Sequence, residues 1–421
     1  MSSHVLHATA PAGLASHPAL DVIRSGAGRC VACGLCLPHC PTYKKTKSEL
    51  ESPRGRIALM LAVARDELEP TAKLESHLSL CLTCRACEAV CPAQVPFGAV
   101  MDATRAELTA RRGPSRRQRL LASAMVALTR PAWLAIVAGG LRLYQRSGVQ
   151  TLLRRTGMLK LFGLAEAEAE LPPLPAPCSF AGHYPARGAR RGAVALFTGC
   201  IARLTDSATL HDTIRVLTRL GYDVHVPPAQ TCCGALHRHS GDAGAADELM
   251  QRNVAAFPAD IEAIVTAASG CAATLIEYDD PAFAAKVVDI STFLQRVDWP
   301  ADLTLTPLPK RVAVHDACTL TNVLRAQHAP HQLLRRIPGA DVMALPDNNT
   351  CCGAAGAYHL EHPDMANALR ADKIEHLRRL APDVLASSNV GCAMHLAVGL
   401  RAAGLAIEVV HPVTLLSRQL P

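Results

Sequence analysis

The 421-residue sequence is poor in aromatic side chains and has no long apolar stretch. Aromatic residues make up 4% of the chain, which argues against the base-stacking platforms of proteins that bind single-stranded nucleic acid. No stretch reaches the roughly 18 consecutive apolar residues of a membrane-spanning helix. The first 20 residues lack the basic and apolar regions of a signal peptide, so we expect a cytoplasmic chain.

Several sequence motifs of catalysis are also missing. The chain has no G-x-G-x-x-G after a predicted strand, no phosphate-binding P-loop and no nucleophile elbow. Substrate oxidation by this chain alone is therefore not expected. The net charge of +7 is modest, and much of it lies between Arg105 and Arg155. This pattern favours an acidic partner or an anionic membrane surface over nucleic acid.

Cysteine, by contrast, is abundant. Seventeen cysteines in a chain without a secretory signal favour metal or redox chemistry over a disulfide scaffold. Eight of them form two runs with the spacing C-x2-C-x2-C-x3-C-P, which we call the first cysteine run (residues 30–41) and the second cysteine run (residues 81–92). This is the spacing of bacterial two-cluster ferredoxins, in which the fourth cysteine of each run binds the other cluster.

The spacing therefore predicts two [4Fe-4S] clusters with exchanged fourth ligands. The first cluster is assigned to Cys30, Cys33, Cys36 and Cys91, and the second to Cys81, Cys84, Cys87 and Cys40. Zinc also binds Cys-x2-Cys pairs, but it needs only four ligands and does not explain two runs of four that each end in Cys-Pro.

The predicted organisation begins with a flexible arm (1–20) and a ferredoxin-type domain (21–110). Between the cysteine runs, an apolar stretch at 57–65 predicts one helix, and residues 74–79 predict another. Two pairs of charged residues have two interpretations each, as groups that tune the clusters or as ordinary surface charges: Arg54 with Arg56, and Arg85 with Glu88.

A basic and then apolar helical segment follows at 111–165. Pro131 and the pair Gly139-Gly140 are expected to break it into short helices. Its basic flanks and its Trp fit a segment that contacts a membrane surface or a partner, and a helical hairpin packed on the rest of the chain is the alternative. The proline-rich residues 166–190, which include Cys178, are predicted to form a linker.

The remainder of the chain is a repeat of about 120 residues. We call residues 191–309 the first Cys-Cys-Gly unit and residues 310–421 the second. Each unit has a strand that leads to a cysteine, then Thr-Cys-Cys-Gly-Ala, then a strand that leads to Gly-Cys. Alternating strands and helices predict α/β units with largely parallel sheets, whose cysteines meet at the carboxyl ends of the strands.

Each unit thus offers four thiols for a further metal site. They are Cys200, Cys232, Cys233 and Cys271 in the first unit, and Cys318, Cys351, Cys352 and Cys392 in the second. Four thiolates suit either zinc or an iron–sulfur cluster, and adjacent cysteines also suit disulfide exchange.

The eight-cysteine module, the stretch Ser52-Pro-Arg-Gly-Arg-Ile57 and the two Cys-Cys-Gly units resemble the iron–sulfur subunit of bacterial glycolate oxidase, over residues 25–415. The resemblance implies an α+β fold, in which an α-helical two-cluster domain precedes two α/β units. It also implies partner dehydrogenase subunits with FAD that oxidise a 2-hydroxy acid. Electrons would pass through this chain to a quinone or another acceptor, at the cytoplasmic face of the inner membrane.

Related systems supply the alternatives. The iron–sulfur subunits of lactate oxidation and of anaerobic glycerol-3-phosphate dehydrogenase resemble the same architecture. The Cys-Cys-Gly units also resemble the Cys-Cys-Gly subunit of heterodisulfide reductase, which implies thiol–disulfide chemistry. Units of that family end in Cys-x2-Cys and bind a noncubane cluster. In this sequence Thr274 and His395 occupy the last position, and His395 is a candidate imidazole ligand.

Overall fold

The computed structural model describes residues 18–113, 131–161, 164–176, 179–180 and 182–421. Nearly all of the predicted flexible arm, the basic residues 114–130 and Cys178 lie outside the described residues. The predicted fold class is confirmed, because a helical N-terminal domain precedes two units that each contain a parallel or mostly parallel sheet.

Helices build the N-terminal domain around the two cysteine runs. The first helix, Pro18–Ala27, packs against Phe97–Arg112 and Pro53–Ala64, and their apolar faces form one core. The shorter elements are the helices Pro41–Thr46, Ala72–Ser79 and Ala86–Ala89, with 3-10 turns at Leu37–His39 and Glu49–Glu51.

The stretch Ser52-Pro-Arg-Gly-Arg-Ile57 begins the helix Pro53–Ala64. The Ser52 hydroxyl accepts a hydrogen bond from the Gly55 backbone N–H at 2.9 Å, which caps the helix N-terminus, and Pro53 takes the first helical position. A Cβ at Gly55 would lie 2.0 Å from the Glu49 carbonyl oxygen. Only glycine fits where the 3-10 turn crosses this helix.

The helices at 131–161 correct one prediction. The helix Pro131–Arg146 starts at Pro131 and continues through Gly139-Gly140, because glycine costs only about 1 kcal/mol in a helix and keeps its backbone donor. The breaks fall at Gly148 and Gly157, whose φ angles are positive. The following helices are Val149–Thr156, Met158–Leu161 and Ala165–Ala169.

Two sheets form the repeated units. The first contains β1 (Gly182–Tyr184), β2 (Gly192–Phe197), β3 (Tyr222–Val226), β4 (Ala263–Thr266) and β5 (Val287–Asp289), in the order β1-β3-β2-β4-β5. The second contains β6 (Arg311–His315), β7 (Asp341–Ala344), β8 (Val384–Ser387) and β9 (Glu408–Val410), in the order β7-β6-β8-β9. Neighbouring strands in these two sheets run parallel, apart from the antiparallel pair of β1 and β3.

Helices connect the strands of each unit. Those of the first are Ile201–Thr205, Ser207–Arg219, Ala235–His239, Ala243–Ala256, Ser269–Leu275, Pro281–Ala284 and Ile290–Arg296. Those of the second are Cys318–Asn322, His328–Leu334, Tyr358–Glu361, Pro363–Leu380, Val390–Ala402 and Pro412–Gln419. The last of these packs against Ser207–Arg219 of the first unit, and one buried core includes residues from both sheets.

The helices at 131–161 present several exposed apolar side chains, among them Trp133, Ile136, Leu143, Leu152 and Leu161. Within the described parts of the chain, no helix is both long enough and apolar enough to cross a membrane. Contact of this segment with a membrane surface or a partner stays a prediction.

Candidate iron–sulfur centres

The two cysteine runs fold into loops of the same shape. In the first run Ala32 and Gly34 have φ angles of 53° and 83°, and in the second run Thr83 and Arg85 have φ angles of 50° and 58°. The left-handed residues thus flank the second cysteine of each run. Turns of this kind point backbone N–H groups into a concavity, which favours anionic groups such as thiolate-ligated clusters.

The residues assigned to the first cluster share one cavity. Cys30, Cys33, Cys36 and Cys91 line it, and Cys87 of the second run reaches it from the other side. Arg54 also lines this cavity, and its guanidinium donates to the Ala32 carbonyl oxygen at 3.1 Å. Four thiols from the two runs therefore converge with a cation beside them, which fits the predicted cluster.

Cys40, the predicted fourth ligand of the second cluster, is buried apart from that cavity. Its sulfur lies 3.2 Å from the Thr42 hydroxyl oxygen, and that hydroxyl accepts a hydrogen bond from the Arg56 guanidinium at 3.0 Å. Arg56 is 1% exposed, so the interpretation of a solvated surface charge is wrong for this residue. A buried cation is thereby connected through Thr42 to a candidate ligand.

Burial governs the thiols of the second run. Desolvation raises the pKa of Cys84 and of Cys87 well above the usual value, and neighbouring thiols add to the effect. The thiols that act on Cys87 include Cys84, Cys81 and Cys40, the other three members of its predicted set. A buried group of thiols disfavours free thiolate charge, and coordination to iron supplies the compensating positive charge.

Arg85 and Glu88 are paired with each other rather than free to tune a cluster singly. The Arg85 guanidinium contacts the Glu88 carboxylate at 2.5 Å and also pairs with Glu277 of the first Cys-Cys-Gly unit. Glu88 in turn accepts a hydrogen bond from the Gly98 backbone N–H at 2.8 Å. This network joins the second cysteine run to the neighbouring unit.

The four thiols of the first unit converge at the carboxyl edge of its sheet, as the repeat predicts. The sulfurs of Cys200 and Cys232 are 3.4 Å apart, and Cys233 interacts with both Cys232 and Cys271. Hydrogen bonds from the neighbouring thiols lower the pKa of Cys232 well below its usual value. The backbone N–H of Gly234 donates to the Cys232 sulfur at 3.5 Å.

The second unit repeats this arrangement. Cys318 contacts Cys351, Cys351 contacts Cys352, and Cys352 contacts Cys392. The Gly353 backbone N–H donates to the Cys351 sulfur at 3.5 Å, the same distance as in the first unit. The hydrogen bond with Cys351, together with burial, raises the pKa of Cys318 well above its usual value.

The two residues that replace the final cysteines lie differently from a ligand. The Thr274 hydroxyl donates to the Gly270 carbonyl oxygen at 3.3 Å, one helical turn back. The ring nitrogens of His395 lie 3.3 Å from the Glu170 carboxylate and 3.4 Å from the Ala366 carbonyl oxygen. These contacts favour the structural interpretation of His395.

The second cysteine run is packed directly against the second unit. The Asn322 side-chain amide donates to the Cys84 carbonyl oxygen at 2.8 Å, and the Tyr358 hydroxyl donates to the Leu80 carbonyl oxygen at 3.1 Å. The thiol of Cys84 acts electrostatically on Cys351. Two thiol sets from different domains are therefore neighbours across a buried interface.

Gly353 offers a test of how closely the backbone must approach in the second unit. Its φ is +97°, and a Cβ there would lie 2.5 Å from the Ala366 carbonyl oxygen. We expect Gly353→Ala to destabilise the fold by about 1–3 kcal/mol and to reduce the metal bound by the unit, as measured by anaerobic denaturation and metal analysis. The matched control is Gly391→Ala, because a Cβ at Gly391 meets nothing within 4 Å. Equal effects of the two variants would contradict the steric argument.

Comparisons with known proteins agree with this architecture. The model of a 4Fe-4S dicluster domain matches residues 26–95, and that of a cysteine-rich domain matches residues 194–276 and 312–397. The model of the linker region of the glycolate oxidase iron–sulfur subunit matches residues 117–171. A probable glycolate oxidase iron–sulfur subunit of Bacillus subtilis (strain 168) is 36% identical over 411 residues, which cover 92% of each chain. The chain belongs to the glycolate oxidase iron–sulfur subunit family.

Other members and relatives match over different lengths. The glycolate oxidase iron–sulfur subunit of Escherichia coli (strain K12) is 33% identical over 386 residues, 87% of this chain and 89% of that one. Lactate utilization protein A of Geobacillus thermodenitrificans (strain NG80-2) is 32% identical over 230 residues, 52% of this chain and 95% of its own length. The predicted family is confirmed. Membership supports iron–sulfur electron transfer as the role of the chain, while the assignment of individual cysteines to clusters stays a prediction.

Proposed function

We propose that this chain is the electron-transfer subunit of a flavin-dependent 2-hydroxyacid dehydrogenase of the glycolate type. FAD belongs to a partner subunit, and a quinone or another acceptor receives the electrons. The two cysteine runs hold two [4Fe-4S] clusters with exchanged fourth ligands, and the Cys-Cys-Gly units provide further metal sites. The names of two relatives, both glycolate oxidase iron–sulfur subunits, support this substrate class.

One observation supports the direction of transfer, namely the order of the cysteine sets from surface to interior. Cys33 of the first set is exposed, and Val31 and Leu35 beside it are 72% and 58% exposed. The second set adjoins the buried thiols of the second unit at Cys84. The first cysteine run thus forms a surface at which a partner can dock, and the second leads into the protein.

The protein's own groups perform three tasks in this role. When bound, clusters of this type exchange single electrons, which suits a flavin that gives up two. Arg54 and Arg56 place positive charge near the two candidate sites. Backbone N–H groups such as that of Thr83, which donates to the Cys81 sulfur at 3.4 Å, supply the hydrogen bonds that set cluster potentials. The Asn322 contact holds the second run against the second unit.

The experiment combines the anaerobically purified full chain with its flavin subunits and follows the EPR signals of reduced clusters. We expect glycolate to reduce the clusters only when the flavin subunits are present, whereas dithionite reduces them in the chain alone. Lactate in place of glycolate identifies the preferred 2-hydroxy acid. Absence of any reducible cluster, or reduction of the isolated chain by glycolate, would contradict the proposal.

The docking surface has its own variant in the same assay. Charged residues in the apolar rim, Val31→Asp with Leu35→Asp, should slow reduction by the flavin subunit by about tenfold or more, since a charge in a desolvated contact is costly. Reduction by dithionite should be unchanged. Leu68→Asp is the matched control, because Leu68 is an exposed leucine of the same domain outside this rim.

A further inference from the structure

The two Cys-Cys-Gly units differ at two buried positions beside their thiols. The last residue of the first strand is Phe197 in β2 and His315 in β6, and each strand end pairs with the equivalent neighbouring strand. The second difference lies on the helix that covers the Cys-Cys-Gly turn. There Asn253 of the first unit corresponds to Lys373 of the second, and both are at most 1% exposed. The first unit is thus the less charged of the two around its four thiols.

His315 lies among the thiols of the second unit. One of its ring nitrogens and the sulfurs of Cys352 and Cys392 all lie within 4.8 Å of one another, and all three side chains are buried. Among the described residues, no other group of three His, Cys, Asp or Glu side chains is this compact. Nδ1 lies 3.1 Å from the Ser387 hydroxyl oxygen, whereas the buried Nε2 has no hydrogen-bond partner. An unpartnered buried nitrogen beside two thiols needs a ligand to compensate for its desolvation.

We propose that the second unit binds a single metal ion of the zinc class, with His315 Nε2, Cys352 and Cys392 as three of its four ligands. The thiols of Cys351 and Cys318, which follow in the same chain of contacts, are the candidates for the fourth. Nitrogen and sulfur donors in a tetrahedral set are what zinc prefers. Bonds of about 2.0–2.3 Å place such donors roughly 3.5–3.8 Å apart, which small side-chain adjustments reach from the observed spacing.

The compactness of the group distinguishes this site from a cubane. Each ligand of a [4Fe-4S] cluster binds a different iron, so the ligands stand apart by the width of the cluster. Three donors within 4.8 Å of one another converge instead on one point. The Ser387 contact is compatible with this role, since donation from Nδ1–H to the hydroxyl leaves the Nε2 lone pair free for the metal.

Lys373 supplies the charge that such a site requires. Its ammonium group donates to the Asp347 carbonyl oxygen and acts electrostatically on the thiols of Cys351 and Cys352. A zinc ion with three thiolates and one imidazole has a net charge of −1, which a buried cation offsets. The first unit has the neutral Asn253 at this position, and its side chain donates to the Cys232 carbonyl oxygen instead.

The consequence is that the two units are not equivalent. Zinc undergoes no redox change, so the second unit would organise the interface with the second cysteine run without itself accepting electrons. The first unit, with four thiols and no histidine among them, remains the one suited to a redox-active centre.

The test is metal analysis and zinc X-ray absorption on the anaerobically purified full chain. We expect one tightly bound zinc per chain in addition to cluster iron, with both nitrogen and sulfur neighbours. The variant His315→Phe, which introduces the residue of the first unit, should lose most of this zinc and keep the dithionite-reducible signals of the two-cluster domain. Those signals show that the variant is folded, and they report on the proposed electron transfer separately from the zinc site.

Two further variants make the result decisive. His411→Phe is the matched control, because His411 is also buried with an unpartnered Nε2 but belongs to a helix cap away from the cysteines, and it should retain the zinc. His315→Cys, which keeps a zinc ligand, should retain more zinc than His315→Phe. Full zinc content in His315→Phe, an all-sulfur coordination shell, or iron alone in the second unit would overturn the proposal.

Discussion

A chain with Cys40→Ala is expected to lose about four irons, the content of one cubane, and to retain the other cluster. Cys40 lies in the first cysteine run, but it is buried near the second-run thiols and is absent from the cavity lined by the other first-run cysteines. Electron transfer to the final acceptor should fall by more than the roughly 10–100-fold typical of changes around a metal site. Iron and sulfide analysis with EPR of the dithionite-reduced chain measures the cluster content, and reduction of the acceptor measures the transfer.

The reciprocal variant tests the exchange of ligands directly. Cys91→Ala should remove the other cluster, since Cys91 lines the cavity of the first set. Cys178→Ala is the control, because Cys178 lies in neither cysteine run nor either Cys-Cys-Gly pattern. Loss of the first-run signal in Cys40→Ala and of the second-run signal in Cys91→Ala would reverse the assignment.

Arg56→Ala should be the most destabilising single change in the N-terminal domain. The buried guanidinium contacts the Glu51 carboxylate at 2.5 Å and donates to the Glu51 and His77 carbonyl oxygens at 2.7 and 2.9 Å. Its removal leaves the buried Glu51 carboxylate without its cation, which costs about 3–5 kcal/mol. Thermal and denaturant unfolding of the anaerobic protein measure the loss, and the second cluster should become more labile because Thr42 loses its donor.

Two comparisons separate charge burial from a general effect of the mutation. Arg54→Ala should have a much smaller effect on stability, because the Arg54–Glu49 pair is largely solvated. The double variant Arg56→Met with Glu51→Leu should recover part of the loss, since both charges are then absent. Equal destabilisation by Arg54→Ala and Arg56→Ala would show that the buried ion pair is not the cause.

The sequence was sufficient to predict those features that depend on spacing. Cysteines at fixed intervals identify the two-cluster domain, and the repeated strand–cysteine pattern identifies two units whose thiols converge because parallel strands end at one edge. The continuation of the helix through Gly139-Gly140 was not predictable from local preference, because a cost of about 1 kcal/mol per glycine is easily offset by the rest of a 16-residue helix.

Features that depend on burial were also missed. Nothing in the sequence distinguishes the solvated Arg54 from the buried Arg56 two residues later, because only the packed structure places Glu51 beside one of them. His315 did leave a signal. An alignment of the two repeats sets it opposite Phe197, and a polar residue in an otherwise apolar strand end would have identified the asymmetry.

The short strand β1 has a practical consequence for work on isolated parts of the protein. It precedes the first repeat and pairs antiparallel with β3, so it covers what would otherwise be an open sheet edge. A fragment cut at the start of the repeat, near residue 191, would expose the backbone groups of β3 and invite edge-to-edge aggregation. Fragments that begin before Gly182 retain this protection, and their boundaries should be chosen accordingly.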